Sequence, residues 1–374
     1  MITLAIHTYE RAVFLKRILE NHGIEVVLET LKSDNADIAA GVEIKIKLGD
    51  IPHALRIVES VETISTPNLD VSFDSKEGTI LIPVDFNPYS LLACRMGFAL
   101  AQRLSLHPVI LHAYATPYFS GVLNYDDTMN AGLDPGLTEE FSDIVIGNDI
   151  RKESEVKMIK LRKSLEQMQK DGKLPDLRFK TSINEGVAED VIKEYCRLTP
   201  PSLIVMATRD IRKKDSELVG SVTAEVLDSC RVPVFSVPET GHFEELENIK
   251  KLVFFCDIDQ QDIISMDTLM RMFDYPEIDV TLIPVNTRIK KNIEEKMRSL
   301  CNYFNKTYPD SHFKVTLFNT KNFYEDFRNF ESQIGVEMIV VPNRRRNIFA
   351  RLMNPGIAHR LLFERDLPLL ALPV

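Results

Sequence analysis

The stretch TILIPVDFNPYSLLACRMGFALAQRLSLHPVILHAYATP, residues 79–117, changes its hydrophobic period twice. Thr79 to Val84 is an apolar run of the kind that forms a strand buried on both faces of a parallel sheet. Asp85 ends the run, Asn87 suits an N-cap and Pro88 a first helical residue, so a helix is expected from Pro88 to about Leu104. Leu92, Met96, Ala99, Leu100 and Arg103 fall on one side of it, with the arginine free to snorkel. PVILHAYA, residues 108–115, is the next strand. Strand, helix and strand in this order predict a crossover connection in an open α/β sheet.

Working toward the C-terminus, residues 116–150 are irregular, aromatic and acidic, and read either as a cover for the sheet edge or cleft or as a mobile segment. Residues 150–172 form a long charged helix, 176–186 a strand, 187–198 a helix, and 202–208 an apolar strand. In MATRDIRKKDSELVGSVTAEVLDSCRVPVFSVP, residues 206–238, a polar loop follows, Gly220-Ser221 opens a helix, and Val232 to Val237 closes the unit as a strand. A second copy comes next. KKLVFFCDIDQ (250–260) matches GTILIPVDFNP (78–88), with Asp257 in the place of Asp85, and residues 336–374 align with 201–239 without a gap. Two related α/β domains, 78–240 and 249–374, are therefore expected.

Toward the N-terminus, residues 1–60 alternate strand, helix, strand, strand, helix, with Gly23 placed to stop the first helix and Val13, Arg17 and Glu20 on its outer face. This βαββα order resembles a ferredoxin-like module of bacterial signal-transducing type that carries no known catalytic residue. His7, His22 and His53 are isolated and read as surface or packed residues. Residues 61–77 are rich in turn formers and read as a linker, with room for a short strand at Leu69 to Phe73.

Composition narrows the function classes. The chain has 374 residues, 44% of them hydrophobic, which is enough for two or three cores. A net charge of -10 disfavours non-specific binding to nucleic acid or anionic membranes. The N-terminus lacks the apolar core of a signal peptide and no stretch approaches a membrane span, so a cytoplasmic protein is expected. Cys94, Cys196, Cys230, Cys256 and Cys301 are widely spaced and form no CxxC pair; they read as reduced packing residues.

A strand ending in PVDF, a late strand followed by a Gly-Ser helix start, and a final VPVFSVP together resemble the universal stress protein family in its tandem form, over about residues 78–374. The resemblance implies a five-stranded parallel sheet with helices on both faces, pairing through last strands, and a division into members that bind ATP and members that do not. The binding members carry Gly-x2-Gly-x9-Gly-(Ser/Thr) after the fourth strand. Counted back from Gly220, the first two glycines fall at Ala207 and Asp210. An alanine forced into left-handed backbone costs on the order of 1 kcal/mol. A carboxylate beside a triphosphate adds repulsion of roughly 1 to 4 kcal/mol. Carried over residue by residue, the resemblance puts Pro83, Asp85, Ala113 and Met206 on the adenosine side, and Arg209, Gly220, Ser221 and Val222 at the phosphates. Gly220-Ser221 at a helix N-terminus still favours an anion, and Arg209, Arg212, Lys213 and Lys214 could offset Asp210. The alternative is that Ser221 caps its helix, the charged loop is solvated, and Asp85 orders its own loop by accepting backbone N–H groups. ATP or AMP in the first domain is thus one of two readings.

In the second copy Pro342, Arg345 and Pro355 stand where the three glycines belong, and a proline offers phosphate no N–H, so no ATP is expected there. Arg344, Arg345, Arg346 and Arg351 could grip an anion, an acidic partner or the other repeat, or form a solvated basic loop. No nucleophile-base pair, serine elbow or metal-ligand spacing occurs, Asp257 and Asp259 included, so neither a catalytic nor a metal site is expected. The sequence reads as a non-catalytic stress-response or signalling protein that binds protein partners; the alternative is a nucleotide switch or weak ATPase built on the first domain. The apolar strands Val232 to Val237 and Leu367 to Pro373 need covering, by pairing within the chain or by homodimerisation.

Overall fold

The structure is a computed structural model in which the described residues are 1–7, 9–32, 39–54, 57, 78–115, 137–208, 222–238, 249–256, 260–273, 277–284, 293–318, 323–343 and 367–373. They build two sheets.

The smaller sheet holds β1 (Ile2–His7), β2 (Val27–Lys32) and β3 (Ala39–Ile46) in the order β1-β3-β2, antiparallel throughout, with α1 (Tyr9–Asn21) between the first two strands in sequence. Alternation in β3 explains its placement: Val42, Ile44 and Ile46 are buried against Ala12, Leu15, Ile18 and Leu19 of α1. The intervening Lys45 bridges Glu29 and Glu43 on the opposite face. Gly23 ends α1 at φ +78°, a value that favours glycine, while Val13, Arg17 and Glu20 are exposed. The expected helix after β3 begins as a short 3-10 turn, Leu48–Asp50. The linker at 61–77 lies outside the described residues.

The larger sheet has ten strands in the order β11-β10-β9-β12-β13-β8-β7-β4-β5-β6. Its first half runs β4 (Thr79–Pro83), α2 (Pro88–Leu104), β5 (His107–Tyr114), α3 (Leu137–Lys170), β6 (Lys180–Glu185), α4 (Ala188–Leu198), β7 (Leu203–Thr208), α5 (Val222–Ser229) and β8 (Val234–Pro238). The second half runs β9 (Lys251–Cys256), α6 (Gln260–Phe273), β10 (Asp279–Pro284), α7 (Ile293–Thr307), β11 (His312–Val315), α8 (Phe323–Ile334), β12 (Met338–Asn343) and β13 (Leu369–Pro373). In each half the third, second, first, fourth and fifth strands lie side by side in that order, and every pairing is parallel. The halves meet at β8 and β13, which pair antiparallel.

Strand alternation divides the core into two layers. Ile80, Ile82, Phe235, Phe254 and Leu370 pack on one face with α2, α3, α6 and α7; Leu81, Val234, Phe255 and Ala371 pack on the other with α4, α5 and α8. Both layers draw on both halves, so the apolar interior crosses the β8–β13 seam.

Two sequence expectations change. The buried face of α2 is wider than Leu92, Met96, Ala99, Leu100 and Arg103: Leu92 and Ala99 are only half-buried, whereas Ser90, Ala93, Cys94, Gly97, Phe98 and Ala101 are buried. The helix lies close against β4, since a Cβ on Gly97 would run into the Ile82 side chain, with Cγ1 at 2.8 Å. The long charged helix starts at Leu137 rather than 150, directly after Pro135-Gly136; residues 137–149 contain no proline, and their one glycine, Gly147, costs only about 1 kcal/mol in a helix interior. The fourth strand of the first half, Leu203–Thr208, agrees with the expected 202–208, and its last residues Ala207 and Thr208 pair with Val237 and Pro238 of β8.

Two outcomes are expected. Gly97→Val should lower stability in urea by about 1–3 kcal/mol through overpacking against Ile82; an unchanged midpoint would contradict the close approach. A chain stopped at residue 240 leaves β8 as an open edge and should self-associate, as read by light scattering. A folded monomer would mean that β13 is not what protects β8.

Candidate functional site

The first half reverses strand order between β4 and β7, and in open α/β sheets ligands bind beyond the carboxyl ends of strands at such a switch point. β4 delivers half-buried Pro83 and exposed Asp85 to this edge, β5 delivers half-buried Ala113, and β7 delivers buried Met206. Val222 is the first residue of α5 and is half-buried. These five sequence-predicted positions thus belong to the switch-point strands and the helix that follows. Arg209, Gly220 and Ser221 lie outside the described residues, as do Asp210, Arg212, Lys213 and Lys214.

The loop after β4 is built by short-range hydrogen bonds. Asp85 Oδ1 accepts from the Asn87 N–H at 3.2 Å and from Ser90 Oγ at 2.8 Å, and Asp85 Oδ2 accepts from Asn87 Nδ2 at 2.8 Å. Asn87 Oδ1 in turn accepts from the Ser90 N–H at 2.9 Å and caps α2, as its sequence position predicts. The Asp85 N–H donates to Ser90 Oγ at 3.2 Å. Between them Phe86 takes φ +61°, a conformation costing a β-carbon-bearing residue roughly 1 kcal/mol or more. Its ring rests 4.2 Å from the His112 ring, centroid to centroid.

His112, from β5, fixes the other side of the loop. Its Nδ1 donates to the Val84 carbonyl at 2.8 Å, and the Val84 N–H donates to the Leu111 carbonyl at 2.8 Å. Burial holds the imidazole below its ordinary pKa, against the opposing pull of the Val84 hydrogen bond and the Asp85 charge, so the neutral ring is favoured. Neither Ser90 nor His112 stands out in the sequence as a site residue. The signal for Ser90 is its spacing three residues after the N-cap; His112 needs the register of β4 against β5, which pairs Pro83 with Leu111.

Ala207 corrects the argument about the first missing glycine. It sits in β7 opposite Val237, half-buried, and the positive-φ residues with side chains among those described are Phe86 and Ser105. Extended backbone accepts alanine as readily as glycine, so no left-handed penalty arises there. Thr208 ends the strand with its Oγ1 donating to the Val237 carbonyl at 3.3 Å.

In the second half Pro342 also lies within a strand, opposite Leu372, and Asn343 closes β12 by donating from Nδ2 to the Leu227 carbonyl in α5. Because β13 is antiparallel to β8, the carboxyl ends of β9 and β12 lie on the sheet edge opposite those of β4 and β7. Arg344, Arg345, Arg346, Arg351, Pro355, Asp257 and Asp259 lie outside the described residues. Among the described residues, no group of three or more His, Cys, Asp or Glu could hold a metal ion, and no helix is long and apolar enough to cross a membrane.

The family model of the universal stress protein family matches residues 78–238. A universal stress protein from Archaeoglobus fulgidus aligns in structure at 11% identity and TM-score 0.55, covering 80% of this chain and 99% of that one. The universal stress protein UspA from Lactobacillus plantarum aligns at 20% identity and TM-score 0.29, over 43% of this chain and 97% of its own. A universal stress protein in complex with cAMP aligns at 18% identity and TM-score 0.26, again over 43% and 97%. No curated protein sequence matches. Strand order and the matched region agree: residues 78–238 match the universal stress protein family and fold as an open α/β domain.

Proposed function

We propose that this protein is a non-catalytic stress-response or signalling component that acts by binding protein partners, with an ATP loop in the first domain that no longer serves as a phosphate cradle. The observation that carries this reading is the state of Asp85. Both carboxylate oxygens serve the loop, through the Asn87 N–H, Asn87 Nδ2 and Ser90 Oγ. A nucleotide that needed this carboxylate would have to compete with three hydrogen bonds and with the cap of α2. Net contributions near 1 kcal/mol per bond make that competition substantial. The substitution of Asp for the second family glycine at position 210 adds charge repulsion in the same direction.

The second half supports the same reading from its sequence, where Pro342 and Pro355 replace family glycines. In this proposal it is a second, degenerate domain of the same family, and the basic run from Arg344 to Arg351 is a surface for an anion or an acidic partner. Its pairing to the first domain through β8 and β13 takes the place of a homodimer contact. The ferredoxin-like N-terminal domain serves as the signalling module, and the cytoplasm is the proposed location.

The alternative, a nucleotide switch or weak ATPase, is favoured by one feature. Pro83, Asp85, Ala113 and Met206 are all delivered by neighbouring strands at the switch point, and α5 begins at Val222 directly after Gly220-Ser221.

Calorimetry decides between the two. ATP and AMP with magnesium, added to protein shown by mass spectrometry to carry no nucleotide, should give no binding heat up to millimolar ligand. Micromolar binding would overturn the proposal, and Asp210→Gly should then tighten it. Separately, Asp85→Ala should lower stability by about 1–2 kcal/mol, the range for losing a buttressed cap and its hydrogen bonds. A fully stable Asp85→Ala protein would remove the structural role on which the proposal rests.

A further inference from the structure

α3 is twice the length of α2, the next longest described helix. Its 34 residues extend about 51 Å, whereas a six-residue strand such as β6 is only about 20 Å long. The side packed on the domain carries Ser154, Met158 and Leu165, all buried, and half-buried Leu161. On the opposite side Lys152, Val156, Ile159, Lys163 and Lys170 recur at spacings of three, four and seven, and so form one outward stripe of exposed residues. Val156 is 49% exposed and Ile159 54% exposed, two β-branched side chains in the middle of a solvent-facing ridge.

Charge along this helix is divided. Residues 137–149 hold Glu139, Glu140, Asp143 and Asp149 and no lysine or arginine. Residues 150–170 hold seven lysines and arginines against three glutamates. Each of those glutamates is already taken within the helix: Arg151 pairs with Glu155 at 3.0 Å, Lys157 with Glu153 at 2.6 Å and Arg162 with Glu166 at 2.9 Å. Lys152, Lys160, Lys163 and Lys170 make no ion pair with a described residue. Ion pairs within a helix reach only three or four residues. Away from the junction near residue 150, the acidic and basic halves therefore cannot neutralise one another in one chain.

From this arrangement we propose that the outward face of α3 pairs with α3 of a second copy of the chain, antiparallel, about a two-fold axis near residue 150. The acidic half of each helix then runs along the basic half of the other, whereas a parallel pair would set like charge against like. The stripe supplies the register. Counted back from Lys152, the same spacing reaches positions 145 and 141, which are Val145 and Phe141. The axis sets Val145 opposite Val156, Phe141 opposite Ile159 and Asp149 opposite Lys152, each to within one residue. The two apolar residues that a single chain leaves open thus meet apolar positions of its partner. This surface is separate from β8 and β13, which pair inside the chain, and its pairing is independent of whether a nucleotide binds.

The full-length protein carries the test. Gel filtration with light scattering at low salt should give twice the mass of one chain, with the dimer fraction falling as salt rises. Val156→Asp combined with Ile159→Asp should weaken association by roughly tenfold or more. Far-ultraviolet circular dichroism should stay unchanged, because both side chains are exposed in the single chain. Direction is read by oxidising two single substitutions. Lys152→Cys lies near the axis and should give a disulfide-linked dimer on a non-reducing gel. The two copies of Lys170→Cys would lie roughly 60 Å apart and should give no more dimer than the unaltered protein. A monomer at low salt overturns the proposal, whether the ridge is then solvated or taken by a different protein. So does a dimer that the double substitution leaves intact, or equal cross-linking at positions 152 and 170. Should the double variant fail to fold, the comparison of Lys152→Cys with Lys170→Cys, made on an otherwise unaltered chain, still decides.

Discussion

The large sheet depends on one short antiparallel ladder. Leu369 faces Ser236, Leu370 faces Phe235 and Ala371 faces Val234, and a further hydrogen bond runs from Ser236 Oγ to the Leu369 carbonyl at 3.4 Å. Without it, β8 and β13 would each be the unpaired edge of a five-stranded parallel sheet, buried on both faces yet open along one side. The ladder also aligns the pleats. Phe235 and Leu370 enter one core layer while Val234 and Ala371 enter the other, so both layers pass from one half to the other, with buried Ser236 a polar side chain at the joint. Hydrogen bonding and apolar burial are satisfied by the same residues.

That antiparallel joint also governs what the two halves can do together. Within a half all strands run the same way, so the carboxyl-end crevice of the first half and that of the second open on opposite edges of the sheet. The chain leaves β12 at Asn343 beside the carbonyl of Leu227, toward the C-terminal end of α5, and not beside the end of β7. The basic run after Asn343 and the loop after Thr208 therefore start from different edges of the sheet. The halves share a core, and the carboxyl ends of their strands open on opposite edges.

At the first-half crevice, stability and binding draw on the same atoms. Asp85 is where the family resemblance places a ribose or base contact, and it is also the acceptor that holds Asn87 and Ser90 at the start of α2. His112 of β5 meets the Phe86 ring over the loop, beside the positive φ of Phe86. The loop is thus ordered by its own hydrogen bonds.

Much of this architecture is legible in the sequence, because it rests on local chemistry. Apolar runs mark β4, β7, β8, β9 and β12, Asn87-Pro88 marks the start of α2, Gly23 the end of α1, and the gapless match of 336–374 to 201–239 implies a repeated strand order. What the sequence could not fix are features set by register and packing between distant segments. Ala207 reads as a broken glycine until its pairing with Val237 shows it to be ordinary strand. The buried width of α2 follows from its approach to Ile82 at Gly97, and the anchoring of the first loop by His112 follows from the register of β5. Periodicity, caps and breakers act within a few residues and so can be read directly; which distant side chains share a face is decided only when the sheet closes its register and the helices settle on it.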